Sequence, residues 1–315
     1  VFIALGCGLV LGPWFIRLLR QLKFRQTVRS DGPQTHLSKT GTPTMGGILI
    51  WSACLLGLTL QRAWNRQLLV FIAVILGHGL LGFLDDYIKA IYKNPEGLAA
   101  RWKLLGQFAL ATLFYRQLLH GGATSLYFPW LGELPLGILY PAFALLYMVF
   151  FSNAVNYADG IDGLCGGLTF IFTMLCVLVA REQGETSLVT LGLALGGGIL
   201  SFLAFNLHPA KLFMGDTGSL GLGAALAGFA LLLRHEIALL LAGILFLVEM
   251  LSSIMQVSYF KYTRIRFGTG KRIFRMAPYH HHLELGGWSE WRVVLTFWGV
   301  ALGAAAVGYL LIMGG

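Results

Sequence analysis

Long apolar stretches alternate with short polar connectors along the whole chain. Apolar windows of bilayer-crossing length recur at ten places, near residues 1–19, 44–61, 67–84, 104–119, 136–153, 163–180, 187–205, 217–233, 237–258 and 292–313. At 1.5 Å of rise per residue, about 20 helical residues cross a hydrocarbon core about 30 Å thick. The windows are unbroken rather than alternating, which argues against a membrane β-barrel. The pattern predicts an all-α polytopic membrane protein, a single domain over residues 1–315 with about ten transmembrane helices. No fixed-period repeat suggests the duplicated halves common in transporters. The first window begins at Val1 without an initiator Met, so the natural N-terminus is expected upstream.

Composition narrows the class. Apolar residues make up 57% of the chain and charged residues 12%, where soluble domains carry about 25% charged residues. Mean hydropathy is +0.72, and both soluble and disordered classes are excluded. The 41 glycines suit close approach of membrane helices. Cys7, Cys54, Cys165 and Cys176 lie in or beside apolar windows without C-x-x-C spacing, so buried thiols are expected rather than disulfides or a thiolate metal site.

A net charge of +9 would by itself suit nucleic acid, but its placement points to membrane topology. Eighteen of the 23 Lys and Arg residues fall on the side bearing the first inter-window connector. By the positive-inside rule that side is the cytoplasm and both termini are external. All six aspartates lie on the same side. External connectors are short apart from residues 120–135, so chemistry is expected at the inner face and no nucleic-acid partner is.

Three acidic segments stand out there. Asp85-Asp86 ends the third window, and Lys89 can neutralise only one of the two. Adjacent helical residues point about 100° apart, so the pair is expected to do two jobs. Asn153, Asn156, Asp159 and Asp162 recur every three residues, which groups their oxygens on one side of a helical turn. Turn-forming or helix-capping duty is the competing reading of that spacing. Lys211, Phe213 and Asp216 place a phosphate-binding cation, an aromatic face and a metal-binding acid within one segment. Asp216 also stands where an N-cap would.

Two further inner segments add donors. Lys39, Thr40, Thr42 and Thr44 can bond anionic oxygens. His280, His281 and His282 are consecutive and cannot all face one way, so contact with a phosphate or sugar fits better than a zinc site. Five inner loops thus supply candidate groups. Mg²⁺ bound by one or two carboxylates and substrate phosphates would suit phosphoryl transfer from a soluble nucleotide donor to a membrane-resident acceptor.

Together these motifs resemble the phospho-N-acetylmuramoyl-pentapeptide transferase family, in the polyprenyl-phosphate N-acetylhexosamine-1-phosphate transferase superfamily. The resemblance runs from Gly32-Pro33 through Gly41-Thr42-Pro43-Thr44-Met45-Gly46-Gly47 to the last window. Asp85-Asp86, Asp159, Asp162 and Asp216 match the superfamily pattern. The Thr-Pro-Thr loop, Pro278-x-His280-His281-His282-x-Glu284 and Gly287-Trp288-Ser289-Glu290 match the muramoyl branch. Leu283 replaces an expected aromatic and Tyr157 an expected aliphatic, and neither departure touches a polar group.

The resemblance implies transfer of phospho-N-acetylmuramoyl-pentapeptide from its UDP derivative to undecaprenyl phosphate, giving lipid I and UMP with Mg²⁺. It implies a bacterial inner-membrane enzyme, a homodimer among its assemblies, and Asp216 as the metal ligand. Phe213 resembles the residue that stacks on uracil, and Asp85 and Asp86 the pair tied to catalysis and the lipid phosphate. Lys39, Thr44, Asn156, Asp159, Asp162, Gln256, His280 and His281 match positions of the nucleotide or inhibitor site, and Lys103 a phosphate contact. Lys211 and His282 join the substrate-binding set from their own motifs. The identity of any base is left open, and direct attack by the lipid phosphate is favoured over a covalent intermediate. The rival readings are a sister transferase using UDP-N-acetylglucosamine, a binding-only membrane scaffold, and a transporter. A transporter predicts acids at mid-span depth, where Glu249 alone lies.

Overall fold

The computed structural model describes residues 1–22, 24, 41–62, 64–94, 96–119 and 124–314. Lys39 lies outside the described residues. The helices are α1 (Phe2–Gln21), α2 (Gly47–Leu60), α3 (Arg66–Ile91), α4 (Ala100–Leu119), α5 (Tyr140–Tyr157), α6 (Leu164–Glu182), α7 (Thr186–Asn206), α8 (Asp216–Leu233), α9 (Glu236–Ala242), α10 (Ile244–Phe267), α11 (Tyr279–Glu284) and α12 (Glu290–Met313). One antiparallel hairpin, β1 (Ser125–Phe128) with β2 (Gly132–Pro135), pairs Ser125 with Pro135 and Phe128 with Gly132.

Each apolar window falls on helix. Eight described helices are long and apolar enough to cross a membrane. Two windows lie outside the eight, and a third is divided. Helix α2 has 14 residues, short for a straight crossing. Helix α4 has the length, but Arg101, Lys103, Gln107 and Arg116 interrupt its apolar run. The window at 237–258 is broken at Gly243, which separates α9 from α10.

Helix α8 is the most enclosed of the eight, with 89% of its apolar window buried. Its sequence, Gly-Ser-Leu-Gly-Leu-Gly-Ala-Ala-Leu-Ala-Gly, gives the reason: small side chains let neighbouring backbones come close, the main source of contact between helices in lipid. α3 and α5 pack most extensively against it. At Gly82 of α3 a Cβ would collide with the carbonyl oxygen of Asp216, so glycine there lets the acidic end of α3 touch the start of α8. Helices α10 and α12 are far less enclosed, with 28% of each window buried. They present Ile254, Met255, Leu295 and Leu302 outward, as lipid-facing helices do.

Candidate active site

Asn65 caps α3, its Oδ1 accepting from Leu68 N at 2.8 Å. The 26 residues that follow carry Asp85 and Asp86 to the end of the bundle where α8 begins. The two carboxylates diverge as helical neighbours must. Asp86 turns to α8: its Oδ1 accepts from Asp216 N at 3.1 Å, and its Oδ2 from Thr217 N at 3.0 Å and Thr217 Oγ1 at 2.7 Å. Helix α8 thus receives its cap from another helix, because its own N-cap residue is Gly215, in a positive-φ conformation at 71°. Asp216 is not the N-cap that its position suggested. It is the first helical residue, and its side chain is left for other partners.

Asp85 turns the other way. Its Oδ1 accepts from Leu98 N at 2.8 Å and lies 3.1 Å from Lys103 Nζ, while Oδ2 pairs with Lys89 Nζ. Asp216 Oδ2 lies 3.4 Å from Lys89 Nζ and 3.3 Å from Lys103 Nζ. Both lysines therefore bridge Asp85 and Asp216. Asn156, at the end of α5, donates to Asp216 Oδ1 at 2.9 Å and to Ser219 Oγ at 2.8 Å. Two carboxylates share two ammonium groups, and the third caps a helix N-terminus, whose partial positive charge favours acids.

The donor set fits a hard cation. Asp85, Asp86 and Asp216 each offer a carboxylate oxygen, all within 4.8 Å of one another, and oxygen-only sets suit Mg²⁺. The oxygens of Asp86 accept from the start of α8, whereas those of Asp85 and Asp216 face Lys89 and Lys103, whose charge a cation could share. Asp159 stands in the α5–α6 turn nearby. Its burial, then the charges of Asp216 and Asp86, push its carboxyl up to about 8.

The remaining loops close around this centre. Phe213 N donates to Pro43 O at 2.8 Å, Gly46 N to Phe213 O at 2.8 Å, and Gly47 N to Met214 O at 3.0 Å. The segments carrying half-buried Phe213 and buried Thr44 are therefore joined through their backbones, with Thr44 Oγ1 against Gly215. Asn206 joins two more loops, accepting from Gly163 N and donating to Leu212 O, both at 2.9 Å. Asp162 accepts from Ala210 N at 3.1 Å and meets His208 Nδ1 at 3.0 Å, and Glu290 lies 3.4 Å from the same nitrogen. Asp162 thus serves as a joint between loops. Lys211 is exposed at the edge of the same segment.

The three histidines face three partners. His280 Nδ1 meets Glu249 Oε2 at 2.9 Å, His281 Nδ1 meets Glu284 Oε2 at 2.7 Å, and His282 Nδ1 accepts from Arg275 N at 3.1 Å. Gln256 is bound into the backbone of its own region: its Oε1 accepts from Ile273 N and Phe274 N, and its Nε2 donates to Phe274 O. In this arrangement it holds the 273–274 segment. Sequence reasoning missed Thr217, Ser219, His208 and the bridging role of Lys89. Only Lys89 gave a local signal, standing one helical turn after Asp85.

Acids, lysines and an aromatic assembled from several helix ends within a membrane bundle describe a class of enzyme that handles phosphorylated substrates at a bilayer. A model of glycosyl transferase family 4 matches residues 68–234, which carries α3 through α8 and hence the whole acid–lysine group. Over nearly the full length the chain is similar to three proteins named phospho-N-acetylmuramoyl-pentapeptide-transferase. That of Heliobacterium modesticaldum is 46% identical over 317 residues, covering 99% of this chain and 96% of the relative. That of Listeria monocytogenes serotype 4b is 46% identical over 308 residues, covering 96% and 93%. That of Carboxydothermus hydrogenoformans is 46% identical over 306 residues, covering 94% and 91%. The chain belongs to glycosyl transferase family 4 and, within that class of enzymes, to the phospho-N-acetylmuramoyl-pentapeptide-transferase family.

Proposed function

We propose that the chain transfers phospho-N-acetylmuramoyl-pentapeptide from its UDP derivative to undecaprenyl phosphate, yielding lipid I and UMP at the cytoplasmic face of a bacterial inner membrane. This would be the first membrane step of peptidoglycan synthesis. The observation that carries the reading is the bridged group of Asp85, Asp216, Lys89 and Lys103, built from α3, α4 and α8. The names of the full-length relatives supply the transferred group, and the family resemblance supplies the nucleotide donor and the lipid acceptor.

In this reading an oxygen of the lipid phosphate attacks the sugar-bearing phosphorus of the donor. The new bond joins the two phosphates, and the bond to the nucleotide's own phosphate breaks to release UMP. The acceptor is already anionic near neutral pH, so proton removal contributes little. Lys89 and Lys103 offset the charge of the diphosphate and of the leaving phosphate, the electrostatic role that dominates phosphoryl transfer. Asn156 and the cap from Asp86 fix the direction of Asp216. Phe213 offers a face for the uracil ring, and Thr44 a hydroxyl beside it. Mg²⁺ held by Asp216 and Asp85 would supply charge neutralisation and polarisation of the phosphoryl oxygens.

The test is incubation of the purified chain with undecaprenyl phosphate, Mg²⁺ and either UDP-N-acetylmuramoyl-pentapeptide or UDP-N-acetylglucosamine. UMP release with the first donor alone is expected. Release with only the second would assign the chain to the sister chemistry.

A further inference from the structure

Glu249 lies six residues into α10, in an apolar span, and is fully buried. His280, in α11, is fully buried as well. Glu249 Oε2 lies 2.9 Å from His280 Nδ1 and 3.4 Å from the backbone N of His280. A buried acid held by both the ring and the main chain of one residue sets where that residue sits and how its ring is turned. Nδ1 faces a carboxylate, so it carries the ring proton, and Nε2 becomes the atom that looks the other way. Nε2 is buried and has no hydrogen-bond partner. It presses on Gly160, where any Cβ would collide with it. Gly160 belongs to the turn between Asn156, which holds Asp216, and Asp162, which joins the next loop.

We propose that Glu249 is a positioning residue: it fixes the His280 imidazole against Gly160 and so sets the turn from Asn156 to Asp162 that meets the phosphate-bearing donor. The proposal rests on the transferase reading above. It explains a carboxylate placed within an apolar span and paired to a histidine, where an unpaired acid is costly. It also explains why residue 160 is glycine, since any Cβ there would collide with the ring that Glu249 holds in place. The pairing parallels the outer carboxylate that fixes the ring of a metal-binding histidine, whose loss typically costs about tenfold to a hundredfold.

The experiment measures kcat and donor KM, with thermal unfolding in detergent, for the wild type, Glu249→Leu, Glu249→Gln, His280→Gln and the Glu249→Leu/His280→Gln double variant. Glu249→Leu is expected to raise donor KM by about tenfold to a hundredfold. Glu249→Gln, whose amide oxygen can still accept from Nδ1, should recover most of that loss. In the His280→Gln background Glu249→Leu should add less than about twofold, because residues acting as one unit are not additive. Multiplying losses in the double variant, or a lowered unfolding temperature with donor KM unchanged, would overturn the proposal. If Glu249→Leu does not fold, Glu249→Asp carries the test, since it keeps the charge but falls one methylene short of Nδ1. Its donor KM should rise, and a wild-type KM would overturn the proposal. A wild type inactive on the muramoyl donor overturns both readings, whereas an active wild type with unaffected Glu249 variants overturns this one alone.

Discussion

Buried carboxylates stand at both ends of this bundle, and the contrast between them shows what distinguishes a site from a structural bond. At one end Asp85 and Asp216 share Lys89 and Lys103, and Asp86 caps α8. At the other, Glu236 lies fully buried at the start of α9. Tyr140 donates to its Oε1 at 2.5 Å and Tyr147 to its backbone carbonyl at 3.0 Å. Arg234 lies over the Tyr140 ring and donates to Ser125 O at 3.0 Å, tying the β hairpin across that end. Glu236 is one acid held by neutral hydroxyls and closed over by a hairpin. The aspartate group has several acids, shared cations and loops from five directions. Burial of an acid is common to both ends; carboxylates that share lysines between helices belong to one.

That contrast can be broken by substitution. The largest effect is expected for Asp216→Asn, which should lower UMP release by about a thousandfold, the scale on which a preorganised electrostatic group acts. Its unfolding temperature in detergent should stay near that of the wild type. Wild-type turnover in this variant would remove Asp216 from the centre. Next is Lys103→Ala, which removes the bridge from α4 and should cost about tenfold to a hundredfold in kcat, with the fold retained. A smaller effect on rate is expected from Asp86→Asn, because Asp86 acts through α8. One of three accepted hydrogen bonds would face a donor instead, costing about 1–2 kcal/mol of stability and about tenfold in turnover. An Asp86→Asn variant as inactive as Asp216→Asn but fully stable would contradict the capping role.

The smallest effect on activity belongs to the other end. Tyr140→Phe strips Glu236 of its hydroxyl partner and should destabilise the fold by about 1–3 kcal/mol. Turnover per folded molecule should be unchanged. A loss of activity exceeding the loss of folded protein would erase the distinction between the two ends.

Much of this arrangement was legible along the chain. Apolar windows located the helices, and the bias of acids and bases to alternate connectors foretold that Asp85, Asn156, Asp162, Phe213 and Asp216 would meet at one end. The rest depends on partners distant in sequence. Nothing local marks Asp86 as the cap of a helix that begins 130 residues later, since its neighbours read simply as an acidic pair. Asp216 looked like a cap for the same reason, because capping from another helix leaves no pattern. Gln256 enters only through the family resemblance, and nothing local shows that its amide bonds Ile273 and Phe274. Glu249 was visible as an acid inside an apolar window, but its histidine lies in a different segment.

The central claim is that Asp216 and Asp85 together hold a divalent cation at the lysine-bridged end. Titration of the purified chain with Mn²⁺, followed by electron paramagnetic resonance, tests it most directly. Saturable binding of Mn²⁺ that Mg²⁺ competes away, lost in Asp216→Asn and kept in Glu236→Gln, is the predicted result. Binding of equal affinity in wild type and Asp216→Asn would contradict it.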